Sequence, residues 1–94
     1  SVAPIDVAIL PLFEKDGMGK LAYELHQQCC KKSGLVSLYD GSGSIGKRYA
    51  RADEIGVPMC VTIDHQSLQD RTVTLRNRDD ATQTRLSIED LPFL

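Results

Sequence analysis

Short apolar runs and helical spacings alternate along the first two thirds of the chain. Ile5-Asp6-Val7-Ala8-Ile9-Leu10, with Pro4 before it and Pro11 after it, is short and rich in β-branched residues, and predicts a buried strand. Met18, Leu21, Ala22, Leu25 and Cys29 then recur at helical spacing. Asp16-Gly17 supplies a start for this helix, and Gly34, beyond Lys31 and Lys32, a stop. Leu35-Val36-Ser37-Leu38-Tyr39 reads as a second strand. Asp40-Gly41-Ser42-Gly43-Ser44 is a loop whose Ser44 is placed to cap a helix from Ile45 to Ile55, which Gly56 and Pro58 end. Met59-Cys60-Val61-Thr62-Ile63 is a third buried strand, finishing at Asp64. Three strands joined through two helices make two crossover units, hence an α/β domain with a parallel sheet and right-handed connections.

Alternation then replaces the crossover pattern. Thr72-Val73-Thr74-Leu75-Arg76-Asn77-Arg78 places Val73 and Leu75 on one face and the threonines and arginines on the other, as a half-buried strand requires. Asp79-Asp80 makes a turn, and Thr82-Gln83-Thr84-Arg85-Leu86 returns as a polar edge strand. Ser87-Ile88-Glu89-Asp90-Leu91 reads as a helix start capped by Ser87 or Asp90 and cut short near Pro92.

At 94 residues the chain holds one domain, since single domains run to about 100–200 residues. A hydrophobic fraction of 41% and a charged fraction of 26% are globular values and speak against disorder or a coiled coil. A net charge of −2 argues against a general nucleic-acid binder, which is normally basic. That sum hides a local arrangement. All five lysines lie at or before Lys47 and all six arginines at or after Arg48. Lys47, Arg48 and Arg51 form a stretch without an acid, Arg76 and Arg78 add two more cations, and the acids concentrate in Asp6, Glu14, Asp16, Glu24 and Glu89-Asp90. Arginine's planar fork of donors suits it to phosphates and base edges. Lys47 and Arg51, four apart on a helix, repel each other and make sense if an anion neutralises them.

The chain begins Ser1-Val2-Ala3-Pro4 without an initiator Met, which suggests a piece of a longer protein. Three cysteines, an odd number with Cys29 and Cys30 adjacent, point away from a disulfide framework and toward an intracellular protein with reduced thiols.

Three patterns carry possible chemistry. Gly41-Ser42-Gly43-Ser44-Ile45-Gly46-Lys47 fills the first seven places of the phosphate-cradling loop motif between a strand and a helix. Its eighth place holds Arg48 where a magnesium-ligating hydroxyl belongs, so a nucleotide-binding loop is an alternative rather than the reading. A softer version leaves the helix start free to meet an anion such as a backbone phosphate. His26, Cys29 and Cys30 lie within about a helical turn, yet only His65 and Cys60 remain to complete a metal site, so no metal is expected. Asp53-Glu54 are adjacent helix positions that point about 100° apart, unsuited to sharing a proton.

The run Gly43-Ser44-Ile45-Gly46-Lys47-Arg48-Tyr49-Ala50-Arg51-Ala52-Asp53-Glu54-Ile55-Gly56-Val57-Pro58, followed by Val61-Thr62-Ile63-Asp64 and Thr72 to Asp79, resembles the anticodon-binding domain of archaeal and eukaryotic-type glycyl-tRNA synthetases. Ala3-Pro4-Ile5 through Leu12 is similar to that domain's first strand, and the likeness covers essentially the whole chain, 1–94, as a single domain of a longer synthetase. It implies a three-layer α/β/α fold, shared with the threonyl, prolyl and histidyl enzymes, whose five-stranded mixed sheet runs in order 2-1-3-4-5 with strand 4 antiparallel. It implies a non-catalytic module that grips the tRNA(Gly) anticodon stem-loop beside a catalytic domain of the same chain. The parent would be a dimeric, cytoplasmic class II ligase that uses ATP and magnesium, with a mitochondrial form also open in a eukaryote, while this domain itself needs no cofactor.

By position, the resemblance assigns contacts with the anticodon stem and loop to Ser44, Lys47, Arg48, Arg51, Arg76 and Arg78, and assigns to Asp53 hydrogen bonds from bases. Asn77, His65 and Ala81-Thr82 depart from the family's usual Asp, Phe and Ser-Met. Histidine in place of Phe still offers a ring on which a base can stack. A copy of the fold borrowed for protein interaction, as in a polymerase accessory subunit, is the remaining alternative.

Overall fold

A computed structural model describes residues 4–94. Ser1 to Ala3, including the opening read above as the mark of a longer protein, lie outside the described residues. The elements run β1 (Val7–Pro11), α1 (Met18–Lys32), β2 (Ser37–Tyr39), α2 (Ile45–Glu54), β3 (Met59–Ile63), α3 (His65–Asp70), β4 (Thr72–Asn77) and β5 (Gln83–Ser87), followed by a 3-10 turn at Ile88–Asp90.

The sheet order is β2-β1-β3-β4-β5. β1 pairs in parallel with β2 and β3, whereas β4 is antiparallel to both β3 and β5, so the mixed sheet has the expected order with strand 4 reversed.

Alternation along the strands divides the core in two. Val7, Ile9, Val61, Ile63, Val73 and Leu75 meet Met18, Ala22, Leu25 and Cys29 of α1. On the opposite face Ala8, Leu10 and Cys60 meet Ala52 and Val57, with Ile45 and Tyr49 of α2 packed against them. This second core stops at β3. Beyond it Thr72, Thr74 and Arg76 stay half-buried, and Gln83 and Arg85 of β5 are exposed. Cross-strand register sets Arg76 beside Cys60 and Thr74 beside Arg85. One half of this sheet face is therefore a polar shelf bordered by α2.

Several boundaries differ from the sequence reading, each for a local reason. β2 contains only Ser37–Tyr39, because Val36 turns its carbonyl to the Asp6 and Val7 amides while its own amide donates to the Asp6 carboxylate. α1, by contrast, starts where Asp16-Gly17 predicts, with Met18 its first residue and Gly17 its N-cap at φ 90°, without a side-chain cap. α2 ends at Glu54, where Gly56, at φ 78°, lets the chain turn back with its amide on Asp53. α3 has no counterpart in the reading above. It is one short helix in which only Ser67 is buried, so it carries no apolar periodicity, and it forms because Asp64 and Ser67 make a reciprocal capping box. The terminal segment forms only a 3-10 turn, with no side-chain cap from Ser87.

Candidate nucleic-acid interface

The start of α2 is built by the loop before it. Ser44 adopts extended backbone angles, and its hydroxyl accepts the Lys47 amide at 3.3 Å. Asp40 organises the preceding turn, accepting the Ser42 amide at 3.1 Å and two guanidinium hydrogen bonds from Arg51 at 3.0 and 2.7 Å. Burial alone would raise the Asp40 carboxyl, but the Arg51 and Ser42 hydrogen bonds outweigh it and hold the group below the usual carboxylate range. Arg51 also donates to the Ser42 carbonyl at 2.7 Å. The like charges Lys47 and Arg51 are thus reconciled from within the domain, with Asp40 as the neutralising anion. Lys47 itself is exposed and, among the described residues, makes no ion pair.

Arg48 departs from the anticodon-contact expectation. Its residue is 2% exposed, and its guanidinium donates to the carbonyls of Pro11, Leu12 at 3.0 Å and Asp40 at 3.2 Å, with Nε buried and unpaired among the described residues. Where β1 ends, the sheet no longer supplies donors to these carbonyls, and a buried acceptor without a donor is costly. Arg48 answers that need and is not available to a phosphate.

The phosphate-loop alternative loses its cradle at the same end. A Cβ on Gly41 would lie 2.0 Å from Glu14 Oε1, so a carboxylate fills the space beside the loop. Glu14 also lines, with Leu12, Phe13, Gly41, Gly43, Ser44, Ile45 and Arg48, a mostly apolar cleft of about 530 Å³. An anion entering here meets a carboxylate.

The other end of α2 meets the shelf. Tyr49 and Asp53, four apart and hence on one helix face, both reach Arg76 of β4. The Arg76 guanidinium carbon lies over the Tyr49 ring, 4.8 Å from its centroid, and its Nη2 is 3.6 Å from an Asp53 carboxylate oxygen. The Tyr49 hydroxyl hydrogen-bonds Thr62 Oγ1 on β3, fixing the ring along the sheet. Arg78 lies one residue past the end of β4 at Asn77 and continues the β3–β4 register opposite Pro58. It opens the turn, exposed, with its amide on the Pro58 carbonyl.

Farther along the shelf, Arg85 grips Asp64 through Nη1 and Nη2 at 2.6 and 2.8 Å, and its Nε donates to Thr72 at 2.8 Å. These hydrogen bonds, helped by those from Ser67, hold the Asp64 carboxyl down to about 2 against the opposing effect of burial.

The structure therefore divides the expected residues into two groups. Ser44, Lys47 and the Arg51 guanidinium, which reaches back from the last turn, gather at the start of α2 with Arg48 beneath them, while Asp53, Arg76 and Arg78 lie toward its end and the adjoining turn. Sequence reasoning passed over Tyr49, Asp64 and Arg85. The four-residue spacing of Tyr49 and Asp53 was available as a signal, and so was the polar alternation of β5 that puts Arg85 on the shelf.

The groups considered for metal binding are dispersed. Among the described residues no cluster of His, Cys, Asp and Glu is placed to hold a metal. His26 Nδ1 hydrogen-bonds Ser37 Oγ at 2.7 Å. Cys29 and Cys60 are buried, Cys30 is exposed, and desolvation pushes the Cys29 thiol up to about 11. No described helix is long and apolar enough to cross a membrane.

Comparison with known proteins supplies a family. Residues 6–93 match the model of the anticodon binding domain. The chain is 53% identical over 90 residues to a glycine–tRNA ligase of Methanothermobacter thermautotrophicus, covering 96% of this chain and 16% of that protein. To the glycine–tRNA ligase of Borrelia hermsii it is 51% identical over 90 residues, covering 96% and 20%. It thus spans about a sixth to a fifth of these relatives. Among solved structures, the RNA-binding domain of a Cryptosporidium parvum threonyl-tRNA synthetase superposes with a TM-score of 0.82 at 24% identity, over 93% of this chain and 22% of that one. A prolyl-tRNA synthetase from the same organism gives 0.83 at 23%, over 95% and 19%. At that identity the structural likeness speaks for the fold.

Proposed function

The chain belongs to the anticodon-binding domain family, and from that premise we propose that it grips the anticodon loop of tRNA(Gly) for a glycine–tRNA ligase of which it is one part. The observation that carries the reading is the polar shelf on β4 and β5. Among the described residues it is a sheet face without a helical cover, edged by α2 and bearing Arg76, with Arg78 on the adjoining turn. Single-stranded RNA loops are read by surfaces that stack and hydrogen-bond splayed bases, and an uncovered polar sheet face beside arginines offers both.

Glycine anticodons end in two cytosines, each with an amino donor at N4 and acceptors at O2 and N3. Arg76 and Arg78 donate to the acceptors. Asp53, with one oxygen toward Arg76, accepts from an amino group with the other. Lys47 and the Ser44 hydroxyl meet backbone phosphates and orient the loop without reading it. Arg48 acts behind the surface and Arg51, exposed but committed to Asp40 and Ser42, acts beside it, together holding the helix and the loop that carry those groups. The domain makes and breaks no bonds. Joining glycine to tRNA with ATP and magnesium, in the cytoplasm and as a homodimer, belongs to the longer protein and chiefly to its catalytic domain.

The nucleotide-loop alternative is disfavoured by the carboxylate at Gly41 and by the engagement of Arg48 with carbonyls. Burial of Arg48 also means that its presence does not discriminate against a protein-interaction role, which leaves Arg76 and Arg78 to do so. Fluorescence anisotropy with an anticodon stem-loop tests the proposal. Arg78→Ala is expected to weaken binding by about 1–3 kcal/mol and to blunt discrimination between cytosine and uracil in the last two anticodon positions. Unchanged selectivity removes Arg78 from base reading, and micromolar ATP binding with magnesium by this chain sinks the proposal in favour of a nucleotide site.

A further inference from the structure

We infer that Tyr49 is a positioning residue for base recognition, holding the Arg76 guanidinium flat as a plate on which one unstacked anticodon pyrimidine rests. This rests on the anticodon-grip reading and deepens it. An arginine on a strand has several rotatable bonds, and one left free in solvent presents its fork of donors in many orientations. With one pyrimidine resting on its face, the guanidinium turns its in-plane donors to the edge of the neighbouring cytosine. Selecting cytosine over uracil there requires one orientation, because the two bases differ in where they place donors and acceptors on the same edge. Arg76 is constrained from two directions by residues of a single helix face. The Tyr49 ring lies beneath the guanidinium carbon at 4.8 Å, and Asp53 approaches Nη2 from the next turn at 3.6 Å.

Tyr49 is itself fixed. Its ring packs against the core of Ala8, Leu10, Ala52, Val57 and Cys60, and its hydroxyl bonds Thr62 on β3. The support runs from that core through the Tyr49 ring to Arg76, with the Thr62 hydrogen bond as a second tie that the packing does not depend on, and the Arg76 side chain remains 23% exposed. A base arriving on the open side completes a stack of ring, guanidinium and base, in which the cation shares its faces between two π systems. Asp53 then has a second part beside accepting from a base. It steers the guanidinium within its plane, while the ring sets the plane.

A purely structural role for Tyr49, tying α2 to the sheet, predicts different behaviour, and three variants separate the two. Tyr49→Phe keeps the ring and loses the hydroxyl, Tyr49→Leu loses the ring, and Arg76→Lys keeps the charge on a head that cannot lie flat. The readouts are the Arg76 Nε–Hε resonance, which a ring face beneath it shifts upfield, and the affinity of anticodon stem-loops carrying cytosine or uracil.

The expected result is that Tyr49→Phe retains the shifted resonance and the selectivity. Tyr49→Leu loses both, with cognate binding down about tenfold, and adds little further loss in an Arg76→Ala background. Arg76→Lys, a substitution in a half-buried strand position that leaves α2 untouched, also loses the selectivity. The inference is overturned if Arg76→Lys discriminates as the parent does, or if Tyr49→Leu keeps the shifted resonance and the discrimination. It is also overturned if the losses from Tyr49→Leu and Arg76→Ala simply add. Failure of the underlying reading looks different: the unsubstituted chain would bind an anticodon stem-loop no better than a scrambled hairpin, and that result removes both.

Discussion

Replacing Asp64 with Asn isolates a single electrostatic contact, because Asn caps a helix about as well as Asp and so leaves the start of α3 in place while discharging the group that Arg85 grips. The carboxyl stands at about 2 against an ordinary 3.8, chiefly through the Arg85 hydrogen bonds. At about 1.4 kcal/mol per unit this difference corresponds to about 2–3 kcal/mol. The side chains are 30% and 26% exposed for Arg85 and Asp64, and solvent screening brings the expected loss to about 1–2 kcal/mol. The sign of the pH dependence follows from the depressed value. The stabilisation is complete above the unfolded pKa, near pH 4, and disappears as the pH falls through the folded value near 2. Urea unfolding followed by circular dichroism at about pH 7, 4 and 2.5 measures both chains. The parent is expected to be the more stable at neutral pH, with the gap closing as acid is added. Equal stability at neutral pH, or a gap that persists undiminished to the most acidic point, refutes the account of the Asp64–Arg85 contact.

Arg48→Met leaves the Pro11, Leu12 and Asp40 carbonyls without their donor and is expected to cost about 3–5 kcal/mol in urea unfolding. A variant that unfolds like the parent but has lost RNA binding would return Arg48 to the RNA-contacting set. Gly19 and Gly41 provide a contrast in what steric contact means. A Cβ at Gly19 meets the Glu14 backbone carbonyl oxygen at 2.6 Å, whereas at Gly41 it meets the end of the Glu14 side chain at 2.0 Å. The side chain can swing away and the backbone cannot, so Gly19→Ala is expected to cost about 1–3 kcal/mol and Gly41→Ala under about 1 kcal/mol, an order that thermal melts check.

How far the fold was legible depended on how each element is stabilised. β1, α1, α2 and β3 bury apolar side chains at regular spacing, and that spacing is present in the residues themselves. α3 buries only Ser67 and is held by its cap, so its evidence is the Asp64-to-Ser67 spacing rather than any hydrophobic period. Strand order is not a property of any segment and came from resemblance. At the candidate site, residue type identified the cations but not their surroundings. Lys47, Arg48 and Arg51 read alike as neighbours on a basic helix, yet one faces solvent, one is buried against three carbonyls and one is paired with Asp40. The difference arises from where β1 ends and how the Asp40 turn folds over it, and both are tertiary facts. Tyr49 was passed over because a half-buried aromatic on a helix reads as core, and its partner Arg76 lies on a strand far along the chain.

Arg48 joins α2 to the end of β1 through hydrogen bonds rather than through apolar contact, and the two kinds of attachment differ mechanically. Apolar packing is non-directional, so a helix seated only on Ala52, Ile45 and Tyr49 can slip along its axis or roll for little energy. Donors aimed at the carbonyls of Pro11, Leu12 and Asp40 act like a key in a slot, since displacement in any direction lengthens at least one of them. The helix is thereby indexed to the sheet, and Tyr49 and Asp53 inherit a fixed height above β4. A surface that must tell two pyrimidines of nearly equal size apart gains from such indexing, because its tolerance is set by bond lengths rather than by how well a small core happens to fit.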